Sequence, residues 1–165
     1  MTSPRSTDFA GLLRRLLEAD VEFILVGGVA AIVHGSARAT FDVDVVYRRS
    51  PENIARLVQA LAPLNPYLRG APPGLPFTFD ADTIRRGLNF TLETTFGDLD
   101  LLGEVTGGGT YEEIVPNCMT VDLFGFSCRA VTLETLVHLK RAAGRPKDLE
   151  IIAELEALLD EREDL

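Results

Sequence analysis

Cysteine is scarce: the 165 residues hold two, Cys118 and Cys128, at no metal-type spacing. That excludes a disulfide framework and a cysteine-built zinc site, and it suits buried thiols in a reducing compartment. His34 and His138 are the two histidines, and with no partner in reach of the sequence pattern they read as packing or surface residues rather than ligands. Positive charge is short as well, with 16 Lys and Arg against 25 Asp and Glu and a formal net charge of −9. Broad non-specific binding to nucleic acid rests on phosphate neutralisation, so this balance argues against it while leaving room for a local basic patch. No apolar run approaches the roughly 20 residues needed to span a bilayer. The first residues, with Pro4, Arg5 and Asp8, carry no apolar signal core. The expectation is a soluble, cytoplasmic protein with no membrane partner. Internal repeats and low-complexity segments are also missing.

With 46% hydrophobic and 25% charged residues, the chain can build a core and is not disordered. Its length suits one compact domain: a core over residues 1–130 and a helical hairpin over 131–165 packed on it. Residues 1–7 read as frayed. Thr7 or Asp8 caps a helix to about Ala19, with Phe9, Leu12, Leu13, Leu16 and Leu17 on one face. Val21 to Val26 is a strand, and Phe41 to Tyr47 another. Ser50-Pro51-Glu52 opens a helix to about Leu61. Pro63 to Pro76 is a proline- and glycine-rich loop, long enough to serve as a lid. Asp80 or Asp82 starts a short helix through Arg86. Strands over 88–94 and 99–105, with a turn at 96–98, form an antiparallel hairpin. Gly107-Gly108-Gly109 makes a flexible link, and residues 111–115 a helical turn. Two short strands flank Gly125. Helices over 132–143 and 147–161 close the chain, the second with Leu149, Ile152, Leu155 and Leu158 inward. The fold class is α/β (α+β in stricter usage), a small mixed sheet with helices packed on it.

The stretch from Val26 to Val46 organises the rest. Gly27-Gly28 breaks an apolar strand, and a glycine pair lets backbone turn tightly and approach a ligand. A small apolar helix follows, then Phe41-Asp42-Val43-Asp44-Val45. Period-two alternation puts Asp42 and Asp44 on one strand face. Two acids on an otherwise apolar strand are costly unless a cation sits between them. Asp98 and Asp100 repeat the spacing on the later strand. If the two strands are neighbours, three carboxylates converge and suit one or two Mg²⁺ ions, which take oxygen ligands and leave positions for phosphates. A pair of ions about 3.5–4 Å apart stabilises both attacking and leaving oxygens of an in-line displacement. The glycine turn opening into a helix presents free N–H groups to a phosphate. Ser36 and Arg38 stand between turn and acids, where they could hold a phosphate oxygen. The loop lacks the Gly-Lys-Ser/Thr of a Walker motif and the spacing of a dinucleotide fingerprint.

The sequence hydrophobic-Gly27-Gly28, short helix, Asp42-Val43-Asp44-Val45 resembles the nucleotidyltransferase superfamily with the DNA polymerase β-like catalytic core. The resemblance implies that Gly27 and Gly28 hold nucleotide phosphates. It implies that Asp42 and Asp44 are metal ligands, with a third acid from a later strand. Asp100, flanked by apolar residues in Gly97-Asp98-Leu99-Asp100-Leu101-Leu102, is the better third acid, and Asp98 the second choice. Lys140-Arg141-Ala142-Ala143-Gly144-Arg145-Pro146-Lys147-Asp148 resembles the C-terminal motif of bacterial toxin-type (AbiEii/MenT-like) nucleotidyltransferases. This implies nucleotide contacts at Lys140 and Lys147, and a base or orienting group at Asp148. The turn is Gly-Gly where many relatives have Gly-Ser, and the chain is much shorter than the full toxins. The implied activity is Mg²⁺-dependent transfer of a nucleoside monophosphate from a nucleoside triphosphate, with two ions expected. The acceptor is a hydroxyl of an RNA end, a small molecule or a protein, and a toxin-type enzyme would have an antitoxin partner. The alternative is a non-catalytic nucleotide- or partner-binding module derived from this fold.

Overall fold

The computed structural model describes residues 6–164. The Asp8 side chain accepts the Gly11 N–H at 2.9 Å and caps α1 (Phe9–Glu18). Leu12, Leu13 and Leu16 recur at helical spacing and are fully buried. Thr7, expected to fray, is instead tied to the residue before β2 and to β5. Its hydroxyl donates to the Phe41 carbonyl at 2.5 Å and accepts the Asp98 N–H at 3.2 Å. Residues 1–5 of the stretch expected to fray lie outside the described residues.

The apolar run becomes β1 (Phe23–Val26), buried at every position, as suits a strand covered on both faces. Then come α2 (Gly27–Val33), β2 (Asp42–Tyr47) and α3 (Pro51–Leu61). The proline-rich stretch holds a 3₁₀ turn over Ala62–Leu64 and a two-residue edge strand, β3 (Tyr67–Leu68). The Asp80 side chain caps α4 (Ala81–Arg86), which leads into the hairpin β4 (Asn89–Thr94) and β5 (Gly97–Leu102). Gly97 and Asp98 therefore belong to the strand and not to the turn, because both pair with β4. A small ribbon of β6 (Glu104–Val105) and β7 (Gly109–Thr110) spans the triple glycine. α5 (Tyr111–Ile114), β8 (Cys118–Leu123) and β9 (Phe126–Val131) precede α6 (Leu133–Ala143) and α7 (Pro146–Glu163).

Seven strands form one mixed sheet in the order β3-β4-β5-β2-β1-β9-β8. β1 runs antiparallel to β2 and parallel to β9, while β2 runs parallel to β5. The core joins Leu12 of α1, Leu57 of α3, Val43 of β2, Leu99 of β5, Leu136 of α6 and Leu155 of α7 in one hydrophobic cluster. Among the described residues no helix is long and apolar enough to cross a membrane.

The last two helices are joined tightly. Gly144 ends α6 in the left-handed region at φ 65°, where a side chain would be strained, and Pro146 starts α7. The buried side of α7 is Asp148, Ile151, Ile152 and Leu155, whereas Leu149 is 56% exposed. Ile152, Leu155 and Leu158 of the expected stripe pack inward, and only Leu149 departs from it, because Asp148 turns inward to meet two cations.

α7 also clamps the loop that follows α2. Glu154 accepts the Ala37 N–H at 2.9 Å and pairs with Arg38 Nε at 3.4 Å. Arg162 donates to both Nδ1 and the carbonyl of His34 at 3.2 Å, and His34 Nε2 meets the Val131 carbonyl at 2.7 Å. Val131 only accepts and Arg162 only donates, so the His34 proton sits on Nε2. His34 is a packing residue, as the sequence suggested, but it has partners from two distant segments.

Asn53 at the start of α3 is fully buried and holds the ends of β1 and β2 together. Its Oδ1 accepts the Glu22 N–H at 2.7 Å, and its Nδ2 donates to the Glu22 and Arg48 carbonyls at 3.0 and 2.8 Å. Asn53→Ala leaves these backbone groups short of partners and is expected to cost about 2–3 kcal/mol in urea denaturation. A loss below about 0.5 kcal/mol would show that the tie carries no weight.

Candidate active site

The site is built by strand register. β2 pairs with β5 so that Asp42 faces Asp98 and Asp44 faces Asp100. Paired residues of neighbouring strands point to the same face, so these carboxylates form a square on one side of the sheet. Val43, Val45, Leu99 and Leu101 point to the other side and are fully buried. The apolar half of each alternation anchors the strands, and the acidic half is left at the edge of solvent.

Within that square Asp42, Asp44 and Asp100 each offer an oxygen, and the oxygens lie within 4.8 Å of one another. Asp98 stands outside this group and pairs with Arg69. Of the two candidates for third acid, Asp100 is the one the fold brings to Asp42 and Asp44. The carboxyl of Asp44 is pushed up to about 8, first by burial, then by a hydrogen bond with Asp100 and the charges of Asp42 and Asp100, against a lowering pull from Lys140. Three oxygen donors crowded until one holds a proton are the chemistry of a hard divalent cation site. The residues present therefore fit such an ion.

The glycine turn packs directly on these acids. Gly27 has φ +66°, and a Cβ there would lie 2.0 Å from Asp44 Oδ2; one on Gly28 would lie 2.5 Å from Thr40 Oγ1. Glycine is required at both positions by close approach, and at Gly27 by conformation as well. The turn and the acid strand are consequently one unit, since β1 pairs with β2 and aligns Val26 with Asp44.

The tail residues divide. Asp148 is 1% exposed and is held by Arg145 Nε at 2.7 Å and Lys140 Nζ at 3.4 Å. Burial alone would push its carboxyl up, but the bonds and charges of Arg145 and Lys140 outweigh it and hold the carboxyl below the usual range. Lys140 acts on Asp44, and Asp44 and Asp100 act on Arg145, so these two cations border the acid square. Lys147 is exposed and forms no ion pair among the described residues.

Ser36 and Arg38 are occupied elsewhere. Arg38 pairs with Glu150 at 3.8 Å and Glu154 at 3.4 Å and donates to the Glu150 carbonyl at 3.2 Å. Ser36 accepts the Arg38 N–H at 3.2 Å and hydrogen-bonds Glu154. Both side chains are turned to α7 rather than to the acids.

One residue of the site escaped the sequence reading. Arg69, just past β3, donates to Asp100 Oδ1 at 2.8 Å and stands 3.4 Å from Asp98 Oδ2 and 3.7 Å from Asp42 Oδ2. A signal was present: it is the sole charged residue between Arg56 and Asp80.

Asp44 gives the site a pH signature. Its folded carboxyl keeps a proton up to about 8, whereas an unfolded aspartate releases it near the ordinary value of about 3.9. The folded state therefore binds more protons between these limits, and stability falls as pH rises through them. In chelator, wild type is expected to lose on the order of 5 kcal/mol relative to Asp44→Asn between about pH 4 and pH 8. Parallel stability–pH curves for the two proteins would sink the assignment. Gly27→Ala is expected to lower the melting temperature by about 4 °C or more, through strain and the clash with Asp44; an unchanged melting temperature would show that the turn tolerates a side chain.

No protein-family model matches the chain, and no curated protein sequence does. In three dimensions it is similar to the crystal structure of a "putative nucleotidyltransferase (TM1012)" from Thermotoga maritima. The TM-score is 0.57 at 13% identity, over 92% of this chain and 90% of that one. At that identity the likeness is one of fold, and it agrees with the mixed α/β nucleotidyltransferase-type core expected from the sequence.

Proposed function

We propose that the protein is a metal-dependent nucleotidyltransferase that moves a nucleoside monophosphate from a nucleoside triphosphate to an acceptor hydroxyl, releasing pyrophosphate. The observation that carries this reading is the convergence of Asp42, Asp44 and Asp100 within 4.8 Å, against a glycine turn, in this fold. Asp42, Asp44 and Asp100 would hold Mg²⁺, two ions by the family pattern. When bound, the ions supply charge neutralisation at the transferring phosphate.

The remaining work falls to the chain's own residues. The acceptor oxygen bonds to the α-phosphorus while the bond from that phosphorus to the pyrophosphate oxygen breaks. The acceptor proton passes to a carboxylate of the square, and Asp100 is the one we assign. Gly27 and Gly28 let backbone N–H groups approach the phosphates without a side chain between. Lys140, Lys147 and Arg145 offset the negative charge of the departing pyrophosphate. Asp148 suits an orienting role better than that of a base, because it is buried and bonded to both Lys140 and Arg145. Catalysis on this reading is mainly positioning and electrostatic.

The acceptor hydroxyl belongs to an RNA end, a small molecule or a protein. The resemblance of the tail to toxin-type enzymes supports the RNA end and an antitoxin partner, whereas the net charge of −9 weighs against a large RNA. Incubation of the purified protein with each labelled triphosphate and Mg²⁺, against tRNA, small hydroxyl compounds and cell extract, is expected to label one acceptor class. Asp42→Ala is expected to reduce labelling by about 10²–10³-fold. Mg²⁺-independent triphosphate binding that survives Asp42→Ala, with no acceptor labelled, would favour a non-catalytic binding module instead.

A further inference from the structure

Resting on that reading, we propose that Arg69 is the resident counter-cation of the site, holding the carboxylates in the free protein and making the site take metal together with polyphosphate rather than bare metal. Among the described residues it is the one cation within ion-pair distance of Asp42, Asp98 or Asp100. It contacts two of the three acids that converge, Asp42 and Asp100, and also Asp98, which lies outside that group.

The anchoring is built into the sheet edge. The Arg69 N–H donates to the Thr91 carbonyl at 3.0 Å, extending the pairing of β3 with β4. Nη2 donates to the Leu92 carbonyl at 2.8 Å as well as to Asp100 at 2.8 Å. The guanidinium therefore lies across β4 onto the acid face, and the side chain is only 25% exposed. A divalent ion entering alone must take oxygens from Asp42 and Asp100 while facing a fixed positive charge a few ångströms away.

Two of Arg69's partners are not needed by the ion: the Leu92 carbonyl and Asp98. Arg69 can give up Asp42 and Asp100 and stay in the site, beside the place where the reading above puts the triphosphate. There its charge opposes bare metal and favours an anionic phosphate chain. Metal and nucleotide then bind with positive coupling, because each offsets the charge that hinders the other.

The test is Mn²⁺ binding by electron paramagnetic resonance, on wild type, Arg69→Gln and Arg69→Lys, with and without a non-hydrolysable triphosphate analogue. Arg69→Gln is expected to bind bare Mn²⁺ about tenfold more tightly and to lose most of the gain that the analogue gives wild type. Arg69→Lys, which keeps the charge, is expected to stay near wild type. Bare Mn²⁺ bound by Arg69→Gln no more tightly than by wild type would overturn the role of Arg69 and leave the proposed function standing. Failure of wild type to bind Mn²⁺ with or without the analogue would overturn the proposed function itself. Should Arg69→Gln not fold by circular dichroism, the Nε–H resonance of Arg69, identified by its loss in Arg69→Lys, decides the point. It is expected to shift as wild type is titrated with Mg²⁺ and the analogue, and a resonance unmoved at saturation would overturn the proposal.

Discussion

The parallel register between β2 and β5 is the constraint on which the rest of this structure depends. It sets Asp42 beside Asp98 and Asp44 beside Asp100, an arrangement that like-charge repulsion opposes. The strands tolerate it because the opposite face of each is fully buried. Val43, Val45, Leu99 and Leu101 fix the pairing through the core, and a slip of one residue would exchange apolar and acidic faces. The core thus supplies the stability that holds charges where they would not gather by themselves. The raised carboxyl of Asp44 is the electrostatic trace of that compromise.

Neighbouring elements answer the accumulated negative charge from several directions. Arg69 reaches in from the sheet edge, and Lys140 and Arg145 stand behind Asp148 on the C-terminal helices. Asp148 gives these two cations a buried anchor, which keeps them near the acids without collapsing onto them. α7 has a second duty, since Glu150, Glu154 and Arg162 hold the loop between α2 and β2. That loop links the glycine turn to the acid strand, so the C-terminal helix fixes the spacing of two halves of one site. Gly27 completes the unit from within, because only a residue without a Cβ fits against Asp44.

Much of this was legible in the sequence, for local reasons. The period-two alternation around Asp42 and Asp44 and around Asp98 and Asp100 placed each pair on one face of a strand. Ser50-Pro51 and Gly144-Arg145-Pro146 marked helix boundaries through capping and backbone rules that act over a few residues. Gly27-Gly28 marked a turn, and the third acid was narrowed to two residues. What the sequence does not show involves longer reach. Arg38 and Ser36 stand between turn and acids in the chain, yet their partners on α7 lie more than a hundred residues away. Leu149 looked like a core residue by periodicity, but Asp148 took the inward position because Lys140 and Arg145 were there to receive it.

What the sequence by itself determined was most of the longer elements, though not the short strands β3, β6 and β7, and the face on which each acid would lie, because alternation, capping and glycine conformation are properties of neighbouring residues. Which strands would be neighbours, and therefore whether Asp100 would meet Asp44, was decided only by the tertiary structure. So was the cation that would face them. Arg69 sits in a loop with no regular period, and nothing local ties it to β2 or β5. It reaches the acids because the short β3 pairs with β4 at the sheet edge and lays the arginine across the face. Strand order is set by packing of the whole core, and the charge balance of the site follows from it.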